Sequence, residues 1–104
     1  MPDATTLIET LSAHSSALAA LGHKVRFDLS DLDTSILLDA SGGTTQVSET
    51  KGDAEAILTL SSDTLDKLIS GRLGPMLAFT TGRLKLAGSQ GVALKLAGLL
   101  EGLS

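Results

Sequence analysis

The chain has 104 residues, a net charge of −4, no cysteine, and only Phe27 and Phe79 as aromatics. This length supports one domain over residues 1–104 with a modest core, and the missing cysteine excludes disulfides and thiolate metal sites. No stretch approaches the roughly 18 apolar residues of a membrane span and no basic-then-apolar leader opens the chain, so a cytoplasmic location is expected.

Residues 3–21 predict a helix. Asp3 is placed to cap it, and Thr6 with Glu9 has capping-box spacing. Leu7, Leu11, His14, Leu18 and Leu21 recur on one face, widened by Ile8 and Ala17, and Gly22 is a natural stop. Residues 24–29 alternate as a strand, with Val25, Phe27 and Leu29 to one side and Lys24, Arg26 and Asp28 to the other. A turn at Asp31-Leu32-Asp33 leads to a strand over 35–40, with Ile36 and Leu38 inward. Ser41-Gly42-Gly43 turns the chain again. Residues 44–50 are β-prone but polar, with Val47 their only large apolar side chain, which suits an edge strand. A fourth strand follows over 54–60. Four strands in series with short connections predict an antiparallel meander.

Ser61 or Ser62 then caps a helix with Leu65, Leu68 and Ile69 as its stripe, ended by Gly71. Pro75 opens a short helix carrying Met76, Leu77 and Phe79, and Gly82 closes it. Residues 83–87 form a fifth strand with Leu84 and Leu86 on one face. Ser89 caps a last helix, where Val92, Leu96, Leu99, Leu100 and Leu103 follow helical spacing. Strands in a run flanked by helices predict an α+β fold, one sheet with helices against one face.

Chemistry is sparse. His14 reads as a packed histidine and His23 as a solvated one; no spacing joins a nucleophile, a base and an orienting acid. Asp28, Asp31, Asp33 and Asp39 crowd the first hairpin but lack the glycine and closing Glu of a calcium loop, so turn and surface roles explain them. Gly88-Ser89-Gln90-Gly91 opens a helix and reads first as a plain strand-to-helix turn, with a carboxylate or phosphate head as the alternative contact. Residues 1–60 carry three basic groups against nine acids, and residues 61–104 five against three. An acidic chain with two aromatics is a poor nucleic-acid binder. The basic C-terminal half reads first as a solvated face, with transient contact to an anionic membrane surface as the further expectation.

The apolar residues of the C-terminal half are, by patterning alone, most simply core. The alternative is a lipid cavity walled by the last helix, since Ala93, Ala97 and Gly98 give that helix little bulk.

The ordered motifs favour the alternative. Ala56-Ile57-Leu58-Thr59-Leu60-Ser61, then Ser70-Gly71-Arg72-Leu73, Pro75, Ala78-Phe79, Gly82-Arg83-Leu84-Lys85-Leu86-Ala87-Gly88 and Gly91-Val92-Ala93-Leu94-Lys95-Leu96 together resemble the sterol carrier protein family, the type-two sterol-binding or lipid-transfer domain. The resemblance covers residues 54–100; the N-terminal half matches in pattern only. It implies a five-stranded, mostly antiparallel sheet with helices on one face enclosing an apolar tunnel for fatty acids, acyl-CoA, sterols or phospholipids. It implies Met76, Leu77, Phe79, Leu84, Leu86, Val92, Leu96, Leu99, Leu100 and Leu103 as lining, with Gln90 at the mouth. No catalytic residue, metal or cofactor is implied. Three departures stand out: Gly74 where the family has asparagine before Pro75, Gln90 where it often has methionine, and an ending in Glu101-Gly102-Leu103-Ser104 rather than a peroxisomal tripeptide. The last favours a stand-alone bacterial-type cytosolic member. The expected function is non-enzymatic lipid binding and transfer, with fatty acids or isoprenoid lipids ahead of sterol. The alternative is an accessory module presenting a hydrophobic intermediate, such as a quinone precursor, to biosynthetic enzymes. The ligand and the oligomeric state are left open.

Overall fold

The computed structural model describes residues 3–101. Its centre is β1 (Lys24–Leu29), whose neighbours on both sides are apolar strands. β2 (Thr34–Asp39) folds back on it as a hairpin, pairing Val25 with Leu38 and Phe27 with Ile36. On the other side β4 (Ala56–Leu60) sets Ala56, Leu58 and Leu60 against Val25, Phe27 and Leu29. β3 (Gln46–Glu49) and β5 (Leu84–Gly88) are the two edges, giving the order β3-β2-β1-β4-β5. Strand side chains alternate between faces, so this register collects Val25, Phe27, Leu29, Ile36, Leu38, Ala56, Leu58, Leu60 and Leu84 on one buried face.

The meander expectation holds for three strands and fails at the fourth. β4 does not pair with β3; it lies beside β1 and parallel to it, so the sheet is mixed. The physical reason is in the strands themselves. β3 is polar, with Val47 only half-buried, and has little to offer an inner neighbour. Beside β1, the alternating Ala56, Leu58 and Leu60 are all buried. To get there, residues 50–55 cross the outer face of the sheet. Arg26 Nη1 donates to the Gly52 carbonyl at 3.3 Å, and Gly52 lies so close over Leu37 that a β-carbon there would meet Leu37 Cδ2 at 3.1 Å. Arg26 also pairs with Asp28 at 2.9 Å, and Ser35 Oγ donates to Asp28 at 2.7 Å. Burial alone would raise the Asp28 carboxyl, but the Ser35 and Arg26 hydrogen bonds outweigh it and hold the group below its ordinary range.

The helices cover the other face. α1 (Ala4–Ala13) is capped by Asp3, which accepts from Thr6 N–H at 2.8 Å. The single helix expected over 3–21 is broken at His14 into α1, α2 (Ser15–Leu18) and a 3₁₀ turn (Ala19–Leu21). Ser15 and Ser16 are weak helix formers, and the two pieces have different partners: α1 packs on β3, β2 and α3, whereas α2 and the 3₁₀ turn reach α5 (Gln90–Glu101). The leucine stripe survives the break, with Leu7, Leu11, Leu18 and Leu21 all buried.

Of the two candidate caps for α3 (Ser62–Ile69), Ser61 accepts from Thr64 N–H at 3.1 Å. Ser62 has a different role. It is fully buried, its N–H donates to Asp31 Oδ1 at 2.8 Å, and its hydroxyl donates to Asp31 Oδ2 at 2.5 Å. Asp31 thus ties the β1–β2 turn to the start of α3, and the Ser62 hydrogen bond holds its carboxyl below the ordinary carboxylate range. α4 (Pro75–Thr80) packs on β5 and α5.

Candidate functional site: an apolar cavity under two helices

β4 and β5 pair antiparallel with Leu58 opposite Leu86 and Leu60 opposite Leu84. These side chains form the floor at the β5 edge. α4 and α5 lie over it, and between floor and helices is a cavity of ≈ 220 Å³. Leu58, Leu84 and Leu86 line it from the sheet, Leu68 from α3, Pro75, Met76 and Phe79 from α4, and Gln90, Ala93, Leu94, Ala97 and Leu100 from α5.

The cavity exists because α5 has two unlike faces. Val92, Leu96 and Leu100 are buried, with Leu99 half-buried beside them, and they close the core against the sheet and α3. A third of a turn away, Gln90, Ala93, Leu94 and Ala97 share another side at i, i+3, i+4 and i+7. Alanine at two of those four positions leaves unfilled the space a leucine would occupy. Ser89 starts the helix, accepting from Val92 N–H at 3.3 Å through its hydroxyl and from Ala93 N–H at 3.2 Å through its carbonyl.

Gly88 sets the angle of that start. Its φ is +85°, and a β-carbon on it would sit 2.5 Å from the Glu55 carbonyl oxygen, the atom that accepts from Ser89 N–H at 2.8 Å. Only glycine allows β5 to end this close to the entry of β4.

α4 is held at its edges and loose on top. Pro75 supplies the first residue, with no side-chain cap, and Ala78 is the inward anchor. Arg83 N–H donates to the Ala78 carbonyl at 2.9 Å, which ties the helix to the start of β5. The Thr80 and Thr81 hydroxyls turn back onto the Leu77 carbonyl at 3.1 and 2.7 Å. The outward side is apolar: Met76 is 57% exposed, Leu77 56% and Phe79 48%, and Leu94 of α5 is 61% exposed. Three of these four also line the cavity, so its mouth opens within an exposed apolar patch.

Of the residues named from sequence, the structure brings Met76, Phe79, Leu84, Leu86, Gln90 and Leu100 together around this cavity. Leu77 points outward, Val92 and Leu96 are in the core and Leu99 packs against it; none of these four lines the cavity. Leu103 lies outside the described residues. Leu58, Leu68, Pro75 and Leu94 were not singled out. The strand register carries Leu58 opposite Leu86, a signal available only once β4 and β5 are known to pair. Ala93 and Ala97, noted in the sequence for their small size, both line the space.

Among the described residues no lining side chain is ionisable, and Gln90 alone has a polar one. The groups with charge chemistry lie elsewhere. His23 Nδ1 meets Glu55 Oε2 at 2.7 Å on the surface, Asp39 takes the Ser41 N–H and hydroxyl at 3.0 and 2.6 Å, and Asp31 anchors α3. Among the described residues no group of three His, Cys, Asp or Glu is placed to hold a metal ion, and no helix is long and apolar enough to cross a membrane.

Comparison with known proteins fits this geometry. The model of the SCP-2 sterol transfer family matches residues 5–101. Hydroxysteroid dehydrogenase-like protein 2 of Bos taurus is 34% identical over 64 residues, which is 62% of this chain and 15% of that protein. The chain therefore spans only a small part of the curated relatives it matches. Two solved structures match nearly end to end. Sterol Carrier Protein-2 of Aedes aegypti, in complex with the C16 fatty acid palmitate, has a TM-score of 0.71 at 15% identity and covers 100% of both chains. The UbiJ-SCP2 ubiquinone synthesis protein has a TM-score of 0.69 at 20% identity and covers 99% of this chain and 95% of that one. At such identities the likeness is one of fold.

Proposed function

Because this chain belongs to the SCP-2 sterol transfer family, we propose that it binds a single long apolar chain, that of a fatty acid, acyl thioester or isoprenoid lipid, in the cavity between α4, β5 and α5. It carries that lipid without chemical change. The observation that carries this reading is a cavity that, among the described residues, is lined by eleven apolar side chains and one amide. Each methylene moved from water into such a lining contributes about 0.8 kcal/mol, and a lining with no acid, base or nucleophile favours a carrier over a catalyst. Size narrows the ligand class. Ligand pockets usually enclose roughly 300–1,000 Å³, and this one encloses ≈ 220 Å³. A flexible chain enters such a space in part and extends through the mouth; a rigid four-ring sterol requires α4 to move outward. The palmitate held by the Aedes aegypti protein is a ligand of the favoured kind.

The test is uptake of a fluorescent fatty acid by the purified protein, with native mass spectrometry of what it carries. Ala97→Phe fills the cavity from α5 and is expected to lower uptake at least tenfold while the fold is kept. A wild-type protein that takes up no acyl chain, acyl-CoA or polyprenyl lipid, and travels only in the unliganded form, would overturn the reading. The likeness to the UbiJ-SCP2 ubiquinone synthesis protein favours a second use of the same cavity, in which the cargo is a hydrophobic biosynthetic intermediate offered to a partner enzyme. Under that reading the protein alone does not move lipid between vesicles, and adding the partner consumes the bound cargo.

A further inference from the structure

The segments that form the mouth of the cavity, α4, β5 and α5, come from the basic part of the chain. From Lys67 to Leu100 the sequence has five basic residues and no Asp or Glu, whereas residues 1–66 carry eleven acids against three basic groups. Within the basic stretch Lys67 pairs with Asp63 and Arg72 with Asp66. Arg83, Lys85 and Lys95 are exposed and form no ion pair among the described residues. Arg83 directly follows the turn that ends α4 and Lys95 is next to Leu94 on α5, whereas Lys85 alternates with Leu84 and Leu86 on β5 and so faces the other side of the sheet. The exposed Met76, Leu77, Phe79 and Leu94 all belong to this stretch of the chain without Asp or Glu.

We infer that this face docks on an anionic lipid bilayer, with Leu77 and Phe79 entering the interface and Arg83 and Lys95 drawn to the headgroups. The carrier reading above supplies the reason for contact, since a chain leaving the bilayer reaches the cavity without crossing water. The patch and its charge stand independently of that reading. Exposed apolar surface rimmed by polar groups marks an interaction site, and shallow apolar insertion combined with basic side chains is how soluble proteins hold to membranes. An acidic protein is the weaker candidate. Protein interfaces rely on Tyr, Trp and Arg anchors, the chain contains neither Tyr nor Trp, and no member of the patch has a hydrogen-bonding side chain.

Flotation with phosphatidylcholine vesicles, with and without phosphatidylglycerol, tests this. The protein is expected to float only with the anionic vesicles and to be released as salt rises. Leu77 is outside the cavity lining, so Leu77→Asp is expected to weaken flotation at least tenfold with fatty-acid uptake in solution unchanged. Arg83→Glu and Lys95→Glu, a second route should Leu77→Asp not fold, are each expected to weaken it about fivefold or more. Equal flotation of Leu77→Asp and wild type, or equal binding to both vesicle types, would overturn the inference. Fatty-acid uptake without flotation would overturn it and leave the carrier reading standing. Anionic flotation without uptake of any lipid would sink the carrier reading and leave the docking surface. Failure to float combined with capture by an acidic protein partner would also overturn it.

Discussion

The two ends of the helix-covered face are built differently. At the β1–β2 end, Phe27, Ile36 and Leu38 share the core with Leu7 and Leu11 of α1, all with no solvent exposure. At the β5 end, α4 and α5 stand over Leu58, Leu84 and Leu86 with space beneath them and Met76, Phe79 and Leu94 half in water. The same sheet and the same aliphatic composition serve both. The difference lies in side-chain volume at a few positions. Leucines at 7 and 11 fill the first end, whereas alanines at 93 and 97 hold the second open. The first end provides the stability that lets the second stay underpacked, because an unfilled apolar space forgoes dispersion contacts and costs stability.

That contrast can be broken most strongly at its closed end. Phe27→Ala should destabilise the fold by about 3–5 kcal/mol, read from urea unfolding, whereas Leu94→Ala at the mouth should stay within about 0.5 kcal/mol. Equal losses would mean that the two ends are packed alike. The joint between them is the next most sensitive point. Gly88→Ala places a methyl against the Glu55 carbonyl at a φ of +85°, and backbone faces it on both sides. A loss of about 1–3 kcal/mol is expected, with faster amide exchange at Ser89 where α5 starts. At the open end the sign changes. Ala97→Phe should leave unfolding within about 1 kcal/mol of wild type, or raise stability by filling space, while lowering lipid uptake at least tenfold. A large loss of stability there would show that the cavity has no room to fill.

The smallest effect is a pH dependence at the closed end. The Asp31 carboxyl is held below its ordinary range by Ser62. A depressed folded-state value means that its stabilising contribution is fully present above the ordinary carboxylate pKa of about 3.9. It is lost as pH falls through the lower, folded value. As a carboxylate at a helix N-terminus it contributes about 0.3–1 kcal/mol. Asp31→Asn should flatten the acid limb of the stability profile by that amount and leave the profile above pH ~5 unchanged in slope. An unaltered acid limb would remove Asp31 as the tie between the β1–β2 turn and α3.

Much of this was legible before any coordinates. Period-two alternation gave each strand its inward face. Asp3, Ser61 and Ser89 proved to be caps, because a short side-chain oxygen ahead of an apolar helical stripe has few other uses. The motifs from Ala56 to Leu96 identified the family that the match over residues 5–101 shows. The lining was read less well. The resemblance implies Val92, Leu96 and Leu99 as lining, whereas their regular apolar spacing seats them in or against the core. The cavity is bordered instead by Ala93, Leu94 and Ala97, which follow one another on a neighbouring stripe.

The sequence by itself determined the local elements, their caps, the apolar strand faces, and the separation of acid from base along the chain. These depend on contacts between residues near one another in the chain, or on composition. The tertiary structure alone decided where β4 goes, and with it everything at the site. Pairing β4 with β1 rather than β3 is a competition between apolar surfaces distant in sequence. Once β4 lies in the interior, β5 becomes the edge, Leu58 comes opposite Leu86, and α4 and α5 are left to span a gap that two alanines do not fill.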